Sequence, residues 1–165
     1  MPRLARSLRD VRLLVLDVDG VLTDGRLYYG ARGEALKVFH VLDGHGIRAA
    51  QRAKIRVAII SGRNSPAVRA RCRELGIRHV HQGVEDKLAV LQRLCTRLGI
   101  ALHECAAVGD DTPDVPVLRA VGHPFAVPGA HPTARRAAGR VTRAPGGHGA
   151  VREVCDLLVA ARARP

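Results

Sequence analysis

Aromatic side chains are nearly missing from this 165-residue chain, which has no Trp, two Tyr and two Phe. Its core must therefore come from Leu, Val, Ile and Ala. A nucleic-acid groove, which sets stacking aromatics among basic residues, has almost nothing to be built from. Lysine is equally scarce: among 27 basic residues only Lys37, Lys54 and Lys87 are lysines, and the other 24 are Arg. No run of five or more basic residues occurs. A net charge of +12 admits nucleic acid, an anionic membrane or anionic small molecules as partners. The scattered arginines read instead as a general Arg preference on a solvated surface, and no nucleic-acid partner is expected. No stretch of about 18 apolar residues is present, which excludes a membrane-spanning helix and makes a membrane partner unexpected. The four cysteines, at 72, 95, 105 and 155, form no CxxC pair and match no common zinc spacing. Buried free thiols in a reducing compartment are expected, with cytoplasm as the default location.

What is present suits one domain. A chain of this length can bury about 70% of the surface its unfolded form exposes, so no disulfide or metal staple is required. Apolar content of 47% and charged content of 25% are ordinary for a globular protein. Basic residues up to Arg12 followed by the apolar stretch Leu13 to Leu22 imitate a signal peptide. Asp17 and Asp19 interrupt that stretch, however, and no small-residue cleavage site follows.

The run from Arg12 to Asp17 predicts a strand buried on both faces, as in a parallel sheet. Further short apolar runs fall at 57–60, 79–81, 106–108 and 124–127. Helical stretches are expected at 66–75, stopping at Gly76, and at 85–98, stopping at Gly99. Two more are expected at 112–120 and 149–163, with the last three residues of the chain fraying. Strands alternating with helices predict a doubly wound α/β parallel sheet over a single domain, 1–165. Residues 25–40 break the alternation and read as an inserted β-hairpin around Gly-Ala-Arg-Gly.

Four stretches carry candidate chemistry. Asp17-Val18-Asp19-Gly20-Val21-Leu22-Thr23 sets two carboxylates at the end of the first strand, where ligands bind in open α/β sheets. Two neighbouring anions need a hard divalent cation, and magnesium is the natural choice. Asp17 can then attack phosphorus as a nucleophile, and Asp19 can protonate the leaving oxygen and later activate water. A solvated Asp pair in a turn is the plainer alternative. Ser61-Gly62-Arg63 also ends a strand: the hydroxyl and backbone N–H groups suit phosphate oxygens, though Ser61 equally suits capping the next helix. Arg63 offers a planar grip for a carboxylate or phosphate. Lys87 can offset aspartate and phosphate charge, or be a surface lysine. In Gly109-Asp110-Asp111-Thr112-Pro113-Asp114, Asp110 would bind the metal directly and Asp114 would support it. Asp111 or Thr112 could simply cap a helix.

In their order and spacing these pieces resemble the haloacid dehalogenase superfamily of phosphatases. The resemblance implies Asp17 as nucleophile, Asp19 as acid/base, Ser61 and Lys87 on phosphate, and Asp110 on magnesium, with the metal also taking the backbone carbonyl of Asp19. The metal set is thus Asp17, Asp19 and Asp110, with Gly62, Arg63 and Lys87 as substrate contacts. From about Arg12 to Leu158 the chain more closely resembles the 3-deoxy-D-manno-octulosonate 8-phosphate phosphatases, through LDVDGVLTDG, GE-LK-F, DG-GIR, SGR, GDD--D-PV and AHP. That family implies a phosphorylated sugar-acid substrate, a role in lipopolysaccharide biosynthesis, no cap domain, and a homotetramer whose hairpins meet at its centre. It also implies that the glycine-rich segment Gly146 to Gly149 reaches a neighbouring site, where a loop before the last helix is the plainer reading. Leu42 replaces an arginine usual in the family, His45 a tyrosine and Ser61 a threonine. Competing readings are a phosphatase of a nine-carbon sialic-type sugar phosphate, which Arg63 disfavours, and a non-catalytic regulatory or binding protein on the same fold.

Overall fold

The computed structural model describes residues 7–163. Six parallel strands form the central sheet: β1 (Leu13–Leu16), β4 (Arg56–Ile60), β5 (His79–His81), β6 (Cys105–Gly109), β7 (His123–Ala126) and β8 (Arg140–Val141). Their order is β5-β4-β1-β6-β7-β8. A separate antiparallel pair, β2 (Tyr28–Gly30) and β3 (Gly33–Leu36), is the inserted hairpin. The helices are α1 (Val41–Arg52), α2 (Pro66–Glu74), α3 (Lys87–Leu98), α4 (Val115–Ala120), α5 (Pro132–Ala137) and α6 (Ala150–Ala163). The doubly wound α/β sheet expected from the alternation is present.

The sequence explains the centre of this arrangement. All four residues of β1 are buried, and it pairs with β4 on one side and β6 on the other, in register Leu14↔Val57 and Leu14↔Ala106. A strand flanked by strands and covered on both faces has to be apolar throughout. Burying each such Leu contributes roughly 1.5–3 kcal/mol. The stretch that imitated a leader is thus the central strand and the loop after it. β4 and β6 are nearly as deeply buried, which sends Asp17, Ser61 and Asp110 to neighbouring strand ends.

The predicted elements differ from the observed ones mainly at helix starts. α3 begins at Lys87 and not at Glu85, because Asp86 accepts a hydrogen bond from the Ala89 N–H at 2.9 Å and caps the helix. Residues 112–120 divide into a 3-10 turn, Thr112–Asp114, and α4. α1, α5 and β8 were not among the elements expected from the apolar runs; α1 is amphipathic, while α5 and β8 have only six and two residues. Gly99 ends α3 in the left-handed conformation expected of it. Ala163 is still helical, and the rest of the tail expected to fray lies outside the described residues.

α1 packs on α6, and two residues of the DG-GIR stretch show why. Asp43 is buried, and its carboxylate accepts the Arg152 N–H at 2.9 Å, serving the open N–H groups at the start of α6. Gly46 lets the backbone of Arg152 approach closely. The segment Gly146–Gly149 turns back onto its own chain: the Gly147 N–H donates to the Val21 carbonyl at 3.0 Å. A Cβ on Gly146 would overlap the Gly20 carbonyl. This segment therefore buttresses the loop that follows β1 of its own chain, as the plainer reading of a loop before the last helix has it. All four cysteines are free and buried, as expected. Among the described residues no helix is long and apolar enough to cross a membrane.

Candidate active site

Three strand ends build the site. The β1 end supplies Asp17, whose carboxylate accepts a hydrogen bond from Lys87 Nζ at 2.8 Å. The β6 end supplies Asp110 and the turn carrying Asp114, and Lys87 Nζ also donates to Asp114 at 2.7 Å. Lys87 is buried; the helix cap at Asp86 fixes it at the first position of α3, aimed into the cleft. The surface-lysine alternative is thereby excluded. Asp114 is held on both oxygens, since its second one accepts the N–H groups of Asp110 and Asp111 at 2.9 and 3.2 Å. Asp111 caps the following turn through the Thr112 N–H, so the capping alternative is right for that residue. The Asp110 carbonyl is pinned by the His131 N–H at 2.7 Å, which gives the AHP stretch its structural purpose.

Each of Asp17, Asp110 and Asp114 contributes a carboxylate oxygen to a cluster within 4.8 Å. One ammonium, Lys87, is bonded to two of them, so with all three ionised two negative charges are uncompensated. Burial, together with the charge on Asp114, pushes the Asp17 carboxyl up to about 6 despite the opposing Lys87. Burial and the charges of Asp17, Asp114 and Asp111 push Asp110 up to about 8. Like charges crowded in a low-dielectric site favour neutral forms, and a divalent cation with oxygen ligands relieves the same crowding. The donor set fits magnesium. Gly20, at φ +86°, closes the site from below, where any Cβ would overlap Asp110 Oδ2.

Asp19 lies elsewhere. Its side chain is outside the cluster of convergent carboxylates, one oxygen at 2.5 Å from Lys37 Nζ and the other 3.9 Å from Arg63 Nε. The expected convergence of residues 17, 19 and 110 is therefore corrected: Asp114 takes the third place among the side chains, because the bend after Val18 aims Asp19 at the hairpin. Ser61 is buried at the end of β4, with its hydroxyl 3.4 Å from the Arg63 N–H. It caps no helix; Ser65 occupies the cap position of α2. Asp17, Asp19, Ser61, Gly62, Arg63, Lys87 and Asp110 all line one cleft of about 380 Å³.

A family model for haloacid dehalogenase-like hydrolases matches residues 31–122. The chain is also 52% identical over 155 residues to a 3-deoxy-D-manno-octulosonate 8-phosphate phosphatase of Escherichia coli K12, covering 94% of this chain and 82% of that protein. This chain belongs to the haloacid dehalogenase-like hydrolase family. A Salmonella typhimurium phosphatase of the same name is 49% identical over 163 residues, 99% of this chain and 87% of that protein. Among solved structures, the Moraxella catarrhalis 3-deoxy-D-manno-octulosonate 8-phosphate phosphatase in complex with magnesium, phosphate and KDO superposes with a TM-score of 0.92 at 42% identity. The match covers 94% of this chain and 89% of that one. A cobalt-bound phosphatase from Haemophilus influenzae gives the same TM-score at 41% identity, over 95% and 92% of the two chains. As a hydrolase of this family the chain is an enzyme, and Asp17, Asp110 and Asp114 form a cluster with the spacing to hold a metal ion.

Sequence reasoning assigned no role to Lys37 or Glu34, although both stand in the GE-LK-F stretch. A signal was available. A chain with 24 arginines uses lysine three times, and two of the three, Lys37 and Lys87, have nearly fully buried side chains.

Proposed function

We propose that this enzyme is a magnesium-dependent phosphomonoesterase that converts 3-deoxy-D-manno-octulosonate 8-phosphate to the free sugar acid and phosphate through an aspartyl-phosphate on Asp17. The observation that carries the reading is the Asp17–Lys87–Asp114 chain of hydrogen bonds beside Asp110. It fixes one nucleophilic oxygen of Asp17 while leaving the cluster two positive charges short. When bound among Asp17, Asp110 and the Asp19 carbonyl, with Asp114 in support, magnesium supplies charge neutralisation for the carboxylates and the phosphate oxygens.

Asp17 attacks phosphorus, forming an O–P bond as the bond to the sugar oxygen breaks. Asp19 gives a proton to that oxygen, then takes one from the water that hydrolyses the aspartyl-phosphate and restores Asp17. Ser61 and the Gly62 backbone hold phosphate oxygens, and Lys87 counters their charge. Arg63 grips the substrate carboxylate, its planar fork suiting that group. Its presence favours the eight-carbon acid over a nine-carbon sialic-type substrate. Leu42, where the family usually carries an arginine, removes one possible anion contact for the substrate and leaves the catalytic set untouched.

The reading includes a cytoplasmic place in lipopolysaccharide biosynthesis and a homotetramer joined through the hairpins. Exposed Leu27, Tyr29, Leu36, Val38 and Val41 support the latter, since an apolar patch of this kind marks an interaction site. Phosphate release from a panel of sugar phosphates, with and without magnesium, tests the activity. We expect the highest kcat/KM on the eight-carbon acid and a loss of more than roughly 10⁴-fold in Asp17→Asn. Equal activity in Asp17→Asn, or preference for the nine-carbon substrate, would overturn the respective part.

A further inference from the structure

We propose that Lys37 is a positioning residue for Asp19: from the hairpin it fixes the acid/base carboxylate so that the proton reaches the leaving oxygen. The inference rests on the phosphatase reading above. The Lys37 side chain is 3% exposed, and a buried ammonium is costly unless it is paired on geometry that satisfies it. Its two partners are Asp19 Oδ1 at 2.5 Å and Glu34 Oε2 at 3.2 Å. Glu34 in turn accepts a hydrogen bond from the Ser65 hydroxyl and lies 3.6 Å from Arg63. Arg63 Nε, 3.9 Å from Asp19 Oδ2, closes the circuit, and its other arm donates to the Tyr29 hydroxyl at 3.1 Å.

Four side chains of alternating sign thus form a neutral ring, with Lys37 close to both carboxylates and Arg63 at 3.6 and 3.9 Å from them, in ion-pair range and not hydrogen-bonded to either. The ring spans the β1 loop, the hairpin and the β4 loop, so its geometry is set only when all three meet. Of its two cations, Arg63 is open to the cleft and free to turn to a substrate anion. Lys37 is enclosed, and among the described residues its partners are Asp19 and Glu34. When substrate draws Arg63 away, Lys37 is the fixed point that keeps Asp19 from swinging toward the Asp17–Asp110–Asp114 cluster and a bound cation.

The test separates positioning of a proton donor from substrate binding and from plain structure. Lys37→Met is assayed by kcat/KM, which reports steps through departure of the leaving group, on three substrates: the sugar-acid phosphate, a neutral sugar phosphate and p-nitrophenyl phosphate. The two sugar oxygens need a proton to leave, and p-nitrophenolate does not. We expect kcat/KM to fall about 100-fold on both sugar phosphates, the scale of general acid catalysis, and less than about fivefold on p-nitrophenyl phosphate. Lys37→Arg restores part of the loss. Glu34→Gln, which leaves the ammonium in place but loosens it, gives a loss of about fivefold with the same substrate pattern, and it keeps the idea testable if Lys37→Met does not fold. Equal losses on all three substrates, a loss confined to the sugar acid, or no loss would each overturn the proposal. Failure of the unaltered enzyme to release phosphate from any substrate would overturn the phosphatase reading instead.

Discussion

Two charged clusters meet at the end of β1, built around residues only two positions apart, and they balance their charge in opposite ways. Around Asp17, three carboxylates crowd together and one ammonium pairs with two of them, Asp17 and Asp114. Around Asp19, two carboxylates face one ammonium and one guanidinium. The first cluster drives its own carboxyls upward, Asp17 to about 6 and Asp110 to about 8. In the second, burial would raise Glu34, but the bonds from Ser65 and Lys37 hold it below the ordinary carboxylate value. An imbalance maintained by rigid backbone contacts is a socket for a cation from outside. A balanced ring needs no cation from outside to hold its members in place.

The widest gap between the clusters is expected in activity. Asp110→Asn takes a charge from the unbalanced cluster and should lower phosphate release by about 10³-fold or more, against about fivefold for Glu34→Gln in the ring. Comparable losses would erase the distinction drawn here. Next comes thermal stability with added magnesium. A ligand bound only by the folded state at 100 times its dissociation constant contributes about 2.7 kcal/mol, a rise in Tm of roughly 5 °C or more for a chain of this size. Scanning calorimetry should show this rise in the unaltered enzyme and in Glu34→Gln, and not in Asp110→Asn. A rise that survives in Asp110→Asn would place the metal elsewhere.

The smallest effect is in pH dependence without metal. Asp17 and Asp110 titrate higher in the folded chain than their ordinary 3.8. Between those values the folded state therefore binds more protons than the unfolded one, and stability falls as pH rises. Metal-free enzyme should lose Tm steadily between about pH 4 and pH 8, saturating magnesium should flatten the slope, and Asp110→Asn should remove much of it. A Tm that rises over this interval would contradict the crowding of carboxylates on which the site depends.

Much of this was legible in the sequence, for reasons that differ by residue. The continuous apolar run Leu13–Leu16 specified a strand covered on both faces, and short runs of the same kind specified its neighbours. Asp17, Ser61 and Asp110 were readable because each directly follows or ends such a run. Lys37 and Glu34 follow no buried strand. Their stretch alternates weakly in a hairpin whose outer face is exposed, so no local pattern marks them.

The sequence by itself determined the sheet, the order of its functional loops and the place of Asp17 at the end of the central strand, because strand burial and strand-end position are encoded within a few neighbouring residues. Tertiary structure alone decided which carboxylates touch, bonding Asp114 and Asp17 to the same ammonium and sending Asp19 to Lys37. It also decided that Gly146 and Gly147 support their own chain's loop. Those outcomes depend on contacts between residues from 18 to more than 120 positions apart, where direction and distance are set by packing and leave no trace in local spacing.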